Sequence, residues 1–133
     1  MTLSDDTIQT LIVEARAAME QAHATYSDFT VGAALLMEDG SIVRGANIEN
    51  ASFGATICAE RSAIASALSQ GKRGIQAVAV TNATDTKITP CGICRQVIYE
   101  YGSDIPVICT NQSGEHVIYS ISELLPHAFT LEQ

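Results

Sequence analysis

The chain has 133 residues, of which 47% are hydrophobic, and a formal net charge of −8 from 7 basic and 15 acidic side chains. This length predicts one domain, residues 1–133, with a hydrophobic core of its own. The acidic balance argues against nucleic acid as a partner, because such binding draws on positive charge. With no apolar stretch of about 18 residues and acidic residues where a secretory signal carries basic ones, we expect a cytoplasmic protein and no membrane contact.

The first third of the chain predicts a helix followed by a β-hairpin. Apolar residues recur at helical spacing from Asp5 to His23, and Ser4 is placed to be the N-cap. Two apolar runs, Phe29 to Met37 and Ser41 to Asn47, flank the turn dipeptide Asp39-Gly40. This pattern is typical of two antiparallel strands.

The rest of the chain alternates helices and strands. The run from Ile75 is apolar without alternation, which indicates a central strand buried on both faces. About five residues join the last two strands, too few for a parallel crossover, so these strands should be antiparallel. A capping box of Ser120 and Glu123 opens a short final helix. The predicted helices are Cys58 to Gln70 and Cys91 to Tyr101, and the predicted strands are Ile75 to Thr81, Ile105 to Thr110 and His116 to Ser120.

These elements sum to an α/β fold in which helices pack on a five-stranded mixed sheet. The two functional motifs in it, Cys58-Ala59-Glu60-Arg61 and Pro90-Cys91-Gly92-Ile93-Cys94, both lie where a helix should begin. Zinc prefers four tetrahedral nitrogen or sulfur ligands, and catalytic sites leave one position to water. The three thiols predict such a site, since helix N-termini stabilise thiolates.

Two side chains next to Cys58 complete the predicted chemistry. Glu60 lies in the same helical turn as this cysteine, beside the position left to water. Burial among apolar groups should raise its pKa, because desolvation disfavours the charged form. We therefore expect Glu60 to shuttle protons in a metal-assisted hydrolysis. Arg61 is placed to donate to a ligand sulfur and to draw electron density from it.

Two other interpretations of the cysteines stay open. One is a closed structural zinc site, although such sites usually use paired C-x-x-C or C-x-x-H knuckles and the first motif offers a single ligand. The other is a redox pair formed by Cys91 and Cys94, which gives no purpose to Cys58 and Glu60. The candidate fourth ligands of a closed site are Cys109, His23, His116 and His127.

Beyond the two motifs, three further segments carry a family resemblance. These are Tyr26-Ser27-x-Phe29-x-Val31-Gly32-Ala33-Ala34-Leu35, Asn47-Ile48-Glu49-Asn50-Ala51 and Glu123-Leu124-Leu125-Pro126, and the second cysteine motif extends through Arg95-Gln96-Val97. With them, the chain resembles the small homotetrameric zinc-dependent cytidine deaminases over essentially its whole length. The cysteine motifs are also a form of the signature of zinc deaminases that act on nucleobases.

The resemblance implies a three-layered cytidine deaminase fold and one Zn²⁺ per subunit, held by Cys58, Cys91 and Cys94. The implied reaction is the hydrolytic deamination of cytidine and 2′-deoxycytidine to the uridines with release of ammonia, a step of pyrimidine salvage. In this reaction, zinc-bound hydroxide attacks C4 of the base, and Glu60 takes the proton-shuttle position. Arg61 follows it in the motif.

The resemblance also implies substrate contacts. Asn47 and Glu49 match the residues that hold the ribose hydroxyls, Phe29 matches the ring that packs on the pyrimidine, and the Ala59 N–H matches the donor to the base carbonyl. Phe53 and Phe129 match aromatic positions that help complete a neighbouring subunit's site, which implies a homotetramer with shared active sites. Position 53 is often tyrosine in relatives, so a hydroxyl is missing here while the ring remains to pack.

Two competing functions remain. One is deamination of another cytosine nucleoside such as blasticidin S, whose deaminase is similar around the zinc, although the segment from Asn47 to Asn50 and Arg61 favour cytidine. The other is a zinc-stabilised binding module without catalysis, which requires a fourth protein ligand. A deaminase of RNA or DNA needs basic and stacking surface, and an acidic chain with 5% aromatic residues argues against it.

Overall fold

The computed structural model describes residues 3–131 of the chain. Its elements are α1 (Asp5–Met19), β1 (Val31–Met37), β2 (Ile42–Ala46), a 3-10 turn (Phe53–Ala55), α2 (Ala59–Ser69), β3 (Ile75–Asn82), α3 (Gly92–Tyr99), β4 (Pro106–Thr110), β5 (His116–Ser120) and α4 (Ile121–Leu124). The strands form one sheet in the order β2-β1-β3-β4-β5. Of the four strand pairs in this sheet, β3–β4 is parallel and the others are antiparallel. The predicted mixed sheet, its central strand and its antiparallel last two strands are confirmed.

Element ends agree with the prediction within one or two residues, except at the end of α1. This helix was expected to reach His23 but ends at Met19. The His23 N–H donates to the Asn47 carbonyl at 2.9 Å, and the Glu49 N–H donates to the His23 carbonyl at 2.8 Å. His23 thus pairs with the chain around Ile48, and this tertiary pairing ends the helical path. Ser4 caps α1 as predicted.

Helices cover both faces of the sheet, which gives three layers. On one face, Leu11 and Ala15 of α1 pack over alanines of β1 and β3. On the other face, α2, α3 and α4 cover a second cluster that includes Val78 and Val107. Because side chains alternate along a strand, β3 presents small alanines to α1 and larger valines to α2 and α3. In residues 3–131, none of the helices combines the length and the apolar character needed to span a membrane.

The contact between α1 and β1 is closest at Gly32. A Cβ atom at this position would lie 2.0 Å from the Ala15 carbonyl oxygen and 2.5 Å from the Met19 nitrogen. Both are backbone atoms, so a rotamer change cannot make room for a side chain. The distance between the α1 layer and the sheet therefore depends on a glycine at this position.

We expect Gly32→Ala to lower the free energy of unfolding by at least about 1–3 kcal/mol, the usual cost of overpacking a core. Urea denaturation followed by circular dichroism measures this change. Gly54→Ala is the matched control, because an added Cβ at that position has no atom within 4 Å. Equal stability of the Gly32→Ala protein and the wild type would show that α1 can move away from the sheet at little cost.

Candidate active site

Three cysteine sulfurs converge from the starts of two helices. Cys58 is the N-cap of α2, Cys91 is the N-cap of α3, and Cys94 lies in the first turn of α3. Their Sγ atoms all lie within 4.8 Å of one another, and those of Cys58 and Cys91 are 3.6 Å apart. Sulfur ligands about 2.3 Å from a tetrahedral zinc ion lie about 3.8 Å from each other. The cluster therefore fits zinc in both donor type and spacing.

Among residues 3–131, no fourth ligand joins this cluster. Cys109 is a buried member of the core beside α2 and α3, and its thiol lies 3.9 Å from the Val107 carbonyl oxygen. His23 interacts with the Thr25 hydroxyl at 3.2 Å. Three protein sulfurs with one tetrahedral position left over is the arrangement of a catalytic zinc site and not of a closed structural one.

The surroundings of the cluster stabilise a thiolate at Cys58. A hydrogen bond from Cys94 and a further one from Arg61 lower the pKa of Cys58 to about 5 against the opposing effect of burial. The Arg61 Nη2 atom donates to the Cys58 sulfur at 3.6 Å. The hydrogen bond between Cys94 and Cys58, together with burial, raises the pKa of the Cys94 thiol. Arg61 Nε is buried and has no hydrogen-bond partner among the described residues.

Glu60 lies in the first turn of α2 and is only 4% exposed. Burial raises the pKa of its carboxyl group to about 7, and the negative charge at Cys58 adds to the rise, whereas a hydrogen bond from its own backbone N–H and the charge of Arg61 oppose it. An acid whose pKa lies near the working pH can both accept and release a proton readily. The position and the environment of Glu60 suit proton transfer beside the sulfur cluster.

An inner cavity of about 240 Å³ opens above the cluster. Cys58, Cys91 and Glu60 are among the residues that line it. The remaining lining residues are Phe29, Val31, Asn47, Thr56, Ile57, Ala59, Ile88 and Thr89. An outer pocket of about 410 Å³ is lined by Tyr26, Ser27, Glu49, Phe53 and Thr56. Because Thr56 borders both, the two form one cleft with an apolar inner end and a carboxylate at the outer end.

The side chains of Asn47 and Glu49 both bind the backbone that carries Phe29. Asn47 Oδ1 accepts the Val31 N–H at 2.9 Å, and its Nδ2 donates to the Phe29 carbonyl at 2.8 Å. Glu49 Oε1 accepts the N–H groups of Tyr26 and Ser27 at 2.9 and 3.0 Å. Hydrogen bonds from the Ser27 hydroxyl and N–H lower the pKa of Glu49 and keep it ionised. These residues therefore hold the cavity wall in place as well as facing the cleft.

The structure gathers most of the predicted site residues along this cleft. Phe53 lies in the outer pocket, where its ring meets the Tyr26 ring edge to face with centroids 6.0 Å apart, and it is 75% exposed. Phe129 is 64% exposed and lines neither part of the cleft. Its carbonyl oxygen accepts a hydrogen bond from Gln96 at 3.0 Å. Phe129 is thus the one predicted contact that this chain does not bring to its own site.

The sequence predicted no role for Arg95, which holds in place the two residues that precede Cys91. Its guanidinium donates to the Pro90 carbonyl at 2.7 Å, the Thr89 hydroxyl at 2.8 Å and the Leu124 carbonyl at 2.8 Å. The sequence did contain a signal for this role. A positive charge near the N-terminus of a helix interacts unfavourably with the helix dipole, which indicates that Arg95 has a partner outside its own helix. The wall residues Ile57, Ile88 and Thr89 were also missed, and they carry no such signal.

Comparison with known proteins agrees with this geometry. The profile described as the cytidine and deoxycytidylate deaminase zinc-binding region matches residues 5–110. A cytidine deaminase of Halalkalibacterium halodurans is 53% identical over 125 residues, which are 93% of this chain and 95% of that protein. The crystal structure of the cytidine deaminase of Burkholderia pseudomallei superposes with a TM-score of 0.89 at 45% identity, covering 96% of this chain and all of the other.

A blasticidin-S deaminase of Bacillus cereus is more distant, at 32% identity over 123 residues, which cover 85% of this chain and 87% of that protein. The profile match spans both cysteine motifs and the segments that build the cleft. The high-identity relatives and the similar solved structure extend this agreement over nearly the whole chain. The chain therefore belongs to the cytidine and deoxycytidylate deaminase family.

Proposed function

We propose that this protein deaminates cytidine and 2′-deoxycytidine hydrolytically and releases ammonia, acting as one catalytic domain of pyrimidine salvage in the cytoplasm. The observation that carries the proposal is the buried Glu60 carboxyl beside a three-sulfur cluster, at the apolar end of a cleft. A base fits the apolar end, and a sugar fits the end where Glu49 lies. The free thiols of all four cysteines are in keeping with a reducing compartment.

In this proposal Cys58, Cys91 and Cys94 hold the metal. A zinc ion bound there supplies the nucleophile, because it lowers the pKa of a bound water molecule. Arg61 donates to the Cys58 sulfur and so withdraws charge from a ligand set that would otherwise weaken the Lewis acid. The N-termini of α2 and α3 act in the same direction on the thiolates.

Glu60 carries the proton transfers. Its carboxylate takes one proton from the attacking water and delivers it to the ring nitrogen of the base. It then takes the second proton from the hydroxyl group left on C4 and gives it to the amine, which leaves as ammonia while the C4 carbonyl forms. The apolar walls exclude water from this exchange, which strengthens each electrostatic contact inside the cleft.

Four further groups position the nucleoside. Phe29 borders the inner cavity, where its ring packs on the pyrimidine. The Ala59 N–H, at the first position of α2 and without an intrahelical partner, donates to the base carbonyl. Asn47 and Glu49 hold the ribose hydroxyls, each with the hydrogen-bonding capacity that its backbone contacts leave free.

The proposal includes a homotetramer with shared sites. Phe53 and Phe129 are large apolar side chains that are 75% and 64% exposed. Exposed aromatic rings beside a cleft are typical of surfaces that another subunit covers. Phe53 borders the outer pocket, whereas Phe129 lies outside its own cleft, so it is the candidate for a contribution to a neighbouring site.

We expect purified protein to carry one zinc ion per chain, and Cys91→Ser to lose it. Removing a ligand should lower the affinity for zinc by more than the roughly 10–100-fold loss that follows when a residue hydrogen-bonded to a ligand is removed. Zinc is measured by atomic absorption after dialysis against a weak chelator. Cys109→Ala is the matched control and should keep one zinc ion per chain, because its thiol lies outside the cluster. Loss of zinc from the control would favour the closed structural site.

We expect Glu60→Gln to keep its zinc and its fold but to reduce kcat for cytidine by at least about 10²–10⁴-fold, because an amide cannot shuttle protons. The decrease in ultraviolet absorbance on conversion to uridine measures turnover. Parallel reactions with 2′-deoxycytidine, cytosine, CMP and blasticidin S rank the substrates. Glu20→Gln, at the exposed end of α1, is the control.

Near-normal turnover by Glu60→Gln would remove this residue from the proton-shuttle role. Preferred turnover of blasticidin S would replace cytidine as the substrate. A zinc-loaded wild-type protein that turns over none of these compounds would favour a binding module without catalysis.

We expect light scattering to give a particle four times the mass of the 14.1 kDa chain. Phe129→Ala should raise KM with zinc retained. If Phe129 acts in the neighbouring site, mixed tetramers of Phe129→Ala and Glu60→Gln subunits should recover a fraction of sites with a low KM, because the intact Glu60 of one subunit then lies beside the intact Phe129 of the other. A fully active monomer, or no recovery on mixing, would contradict shared sites.

A further inference from the structure

Ser27 connects two groups of the cleft that the proposed function uses separately. Its hydroxyl group donates to Glu49 Oε2, and the Ser27 hydroxyl oxygen itself accepts the Phe29 N–H at 3.0 Å. The Ser27 backbone N–H also donates to Glu49 Oε1 at 3.0 Å. One residue therefore binds both the carboxylate at the sugar end and the backbone of the ring at the base end.

These bonds determine how Glu49 faces the outer pocket. A carboxylate has about four acceptor positions, two on each oxygen. The N–H groups of Tyr26 and Ser27 occupy both positions on Oε1, and the Ser27 hydroxyl occupies one on Oε2. A single acceptor position on Oε2 is left for a substrate hydroxyl. Without the Ser27 hydroxyl, the carboxylate could rotate about its remaining contacts and would no longer present one defined acceptor.

The turn that contains Ser27 also needs this hydroxyl. Asp28 has a φ of +62°, a left-handed conformation that non-glycine residues adopt at some cost. The bond from the Phe29 N–H to the Ser27 hydroxyl spans this residue, and the Asp28 N–H donates to the Ala24 carbonyl at 2.9 Å. A strained conformation persists where its surroundings fix it. The hydroxyl is thus one of the contacts that keep Phe29 against the inner cavity.

We propose that Ser27 is a positioning residue for nucleoside recognition: by orienting the Glu49 carboxylate, its hydroxyl gives the cleft its preference for nucleosides that carry a 3′-hydroxyl. The inference rests on the proposed function, in which Glu49 holds that hydroxyl. Ser27 does not take part in the chemistry, so its effect belongs to substrate binding and not to proton transfer at Glu60.

The test compares Ser27→Ala with the wild type on two substrates, cytidine and 2′,3′-dideoxycytidine, which lacks the 3′-hydroxyl. Loss of one charge-assisted hydrogen bond should raise KM for cytidine about tenfold, with kcat little changed. KM for the dideoxynucleoside should rise much less, because this substrate has no hydroxyl for Glu49 to hold and loses only the support that Ser27 gives to Phe29, which affects both nucleosides alike. Ser27→Thr keeps a hydroxyl and should restore most of the selectivity.

Ser69→Ala is the matched control, since Ser69 is exposed at the end of α2 and its hydroxyl donates to the Ser66 carbonyl of the same helix. Where Ser27→Ala fails to fold in a thermal unfolding assay, Ser27→Cys preserves the size of the side chain with a weak donor and should show the same loss of selectivity. Equal increases of KM for both nucleosides, or no increase, would overturn the Ser27 inference while cytidine turnover by the wild type upholds the proposed function. A wild type without cytidine turnover would overturn both.

Discussion

The N-termini of α2 and α3 lie side by side, and the N-cap residue of each helix is a cysteine. Cys58 and Cys91 are N-caps whose thiols make no capping bond to their own helices, so their sulfurs face one another at 3.6 Å. The positive ends of both helices thus surround the atoms that have to carry negative charge. Glu60 and Ala59 reach their positions because they occupy the first turn that Cys58 opens.

The sugar end of the cleft is connected to this cluster by one backbone pairing. Ile48 lies between Asn47 and Glu49, and it exchanges two hydrogen bonds of 2.9 and 3.0 Å with Ile57, the residue before Cys58. On its other side, the same segment pairs with His23. The distance between Glu49 and the sulfur cluster is therefore fixed by rigid backbone, which suits a site that has to hold both ends of one nucleoside.

Local sequence signals were sufficient to predict the helices and strands, and the spacing of the two motifs was sufficient to predict the cysteine cluster. Caps, turn dipeptides and apolar periodicity depend on neighbours in sequence, so the strands and most helix ends could be predicted within a residue or two. The end of α1 could not, because the pairing of His23 with the segment around Ile48 is tertiary. The bonds of Ser27 to Glu49 and of Arg95 to Leu124 span 22 and 29 residues. Neither hydrophobic periodicity nor composition predicts which residues so far apart in sequence will be hydrogen-bonded.

The distribution of aromatic residues links the cleft to assembly. The chain has three phenylalanines, and all of them lie outside the core, with exposures of 41% for Phe29, 75% for Phe53 and 64% for Phe129. The interior is built instead from alanine and aliphatic side chains, which permits the close packing of α1 at Gly32. Rings of this size gain most free energy when they are buried. Since the fold leaves them exposed, substrate and a second copy of the chain are surfaces that can bury them, and this arrangement supports the proposal of sites shared between subunits.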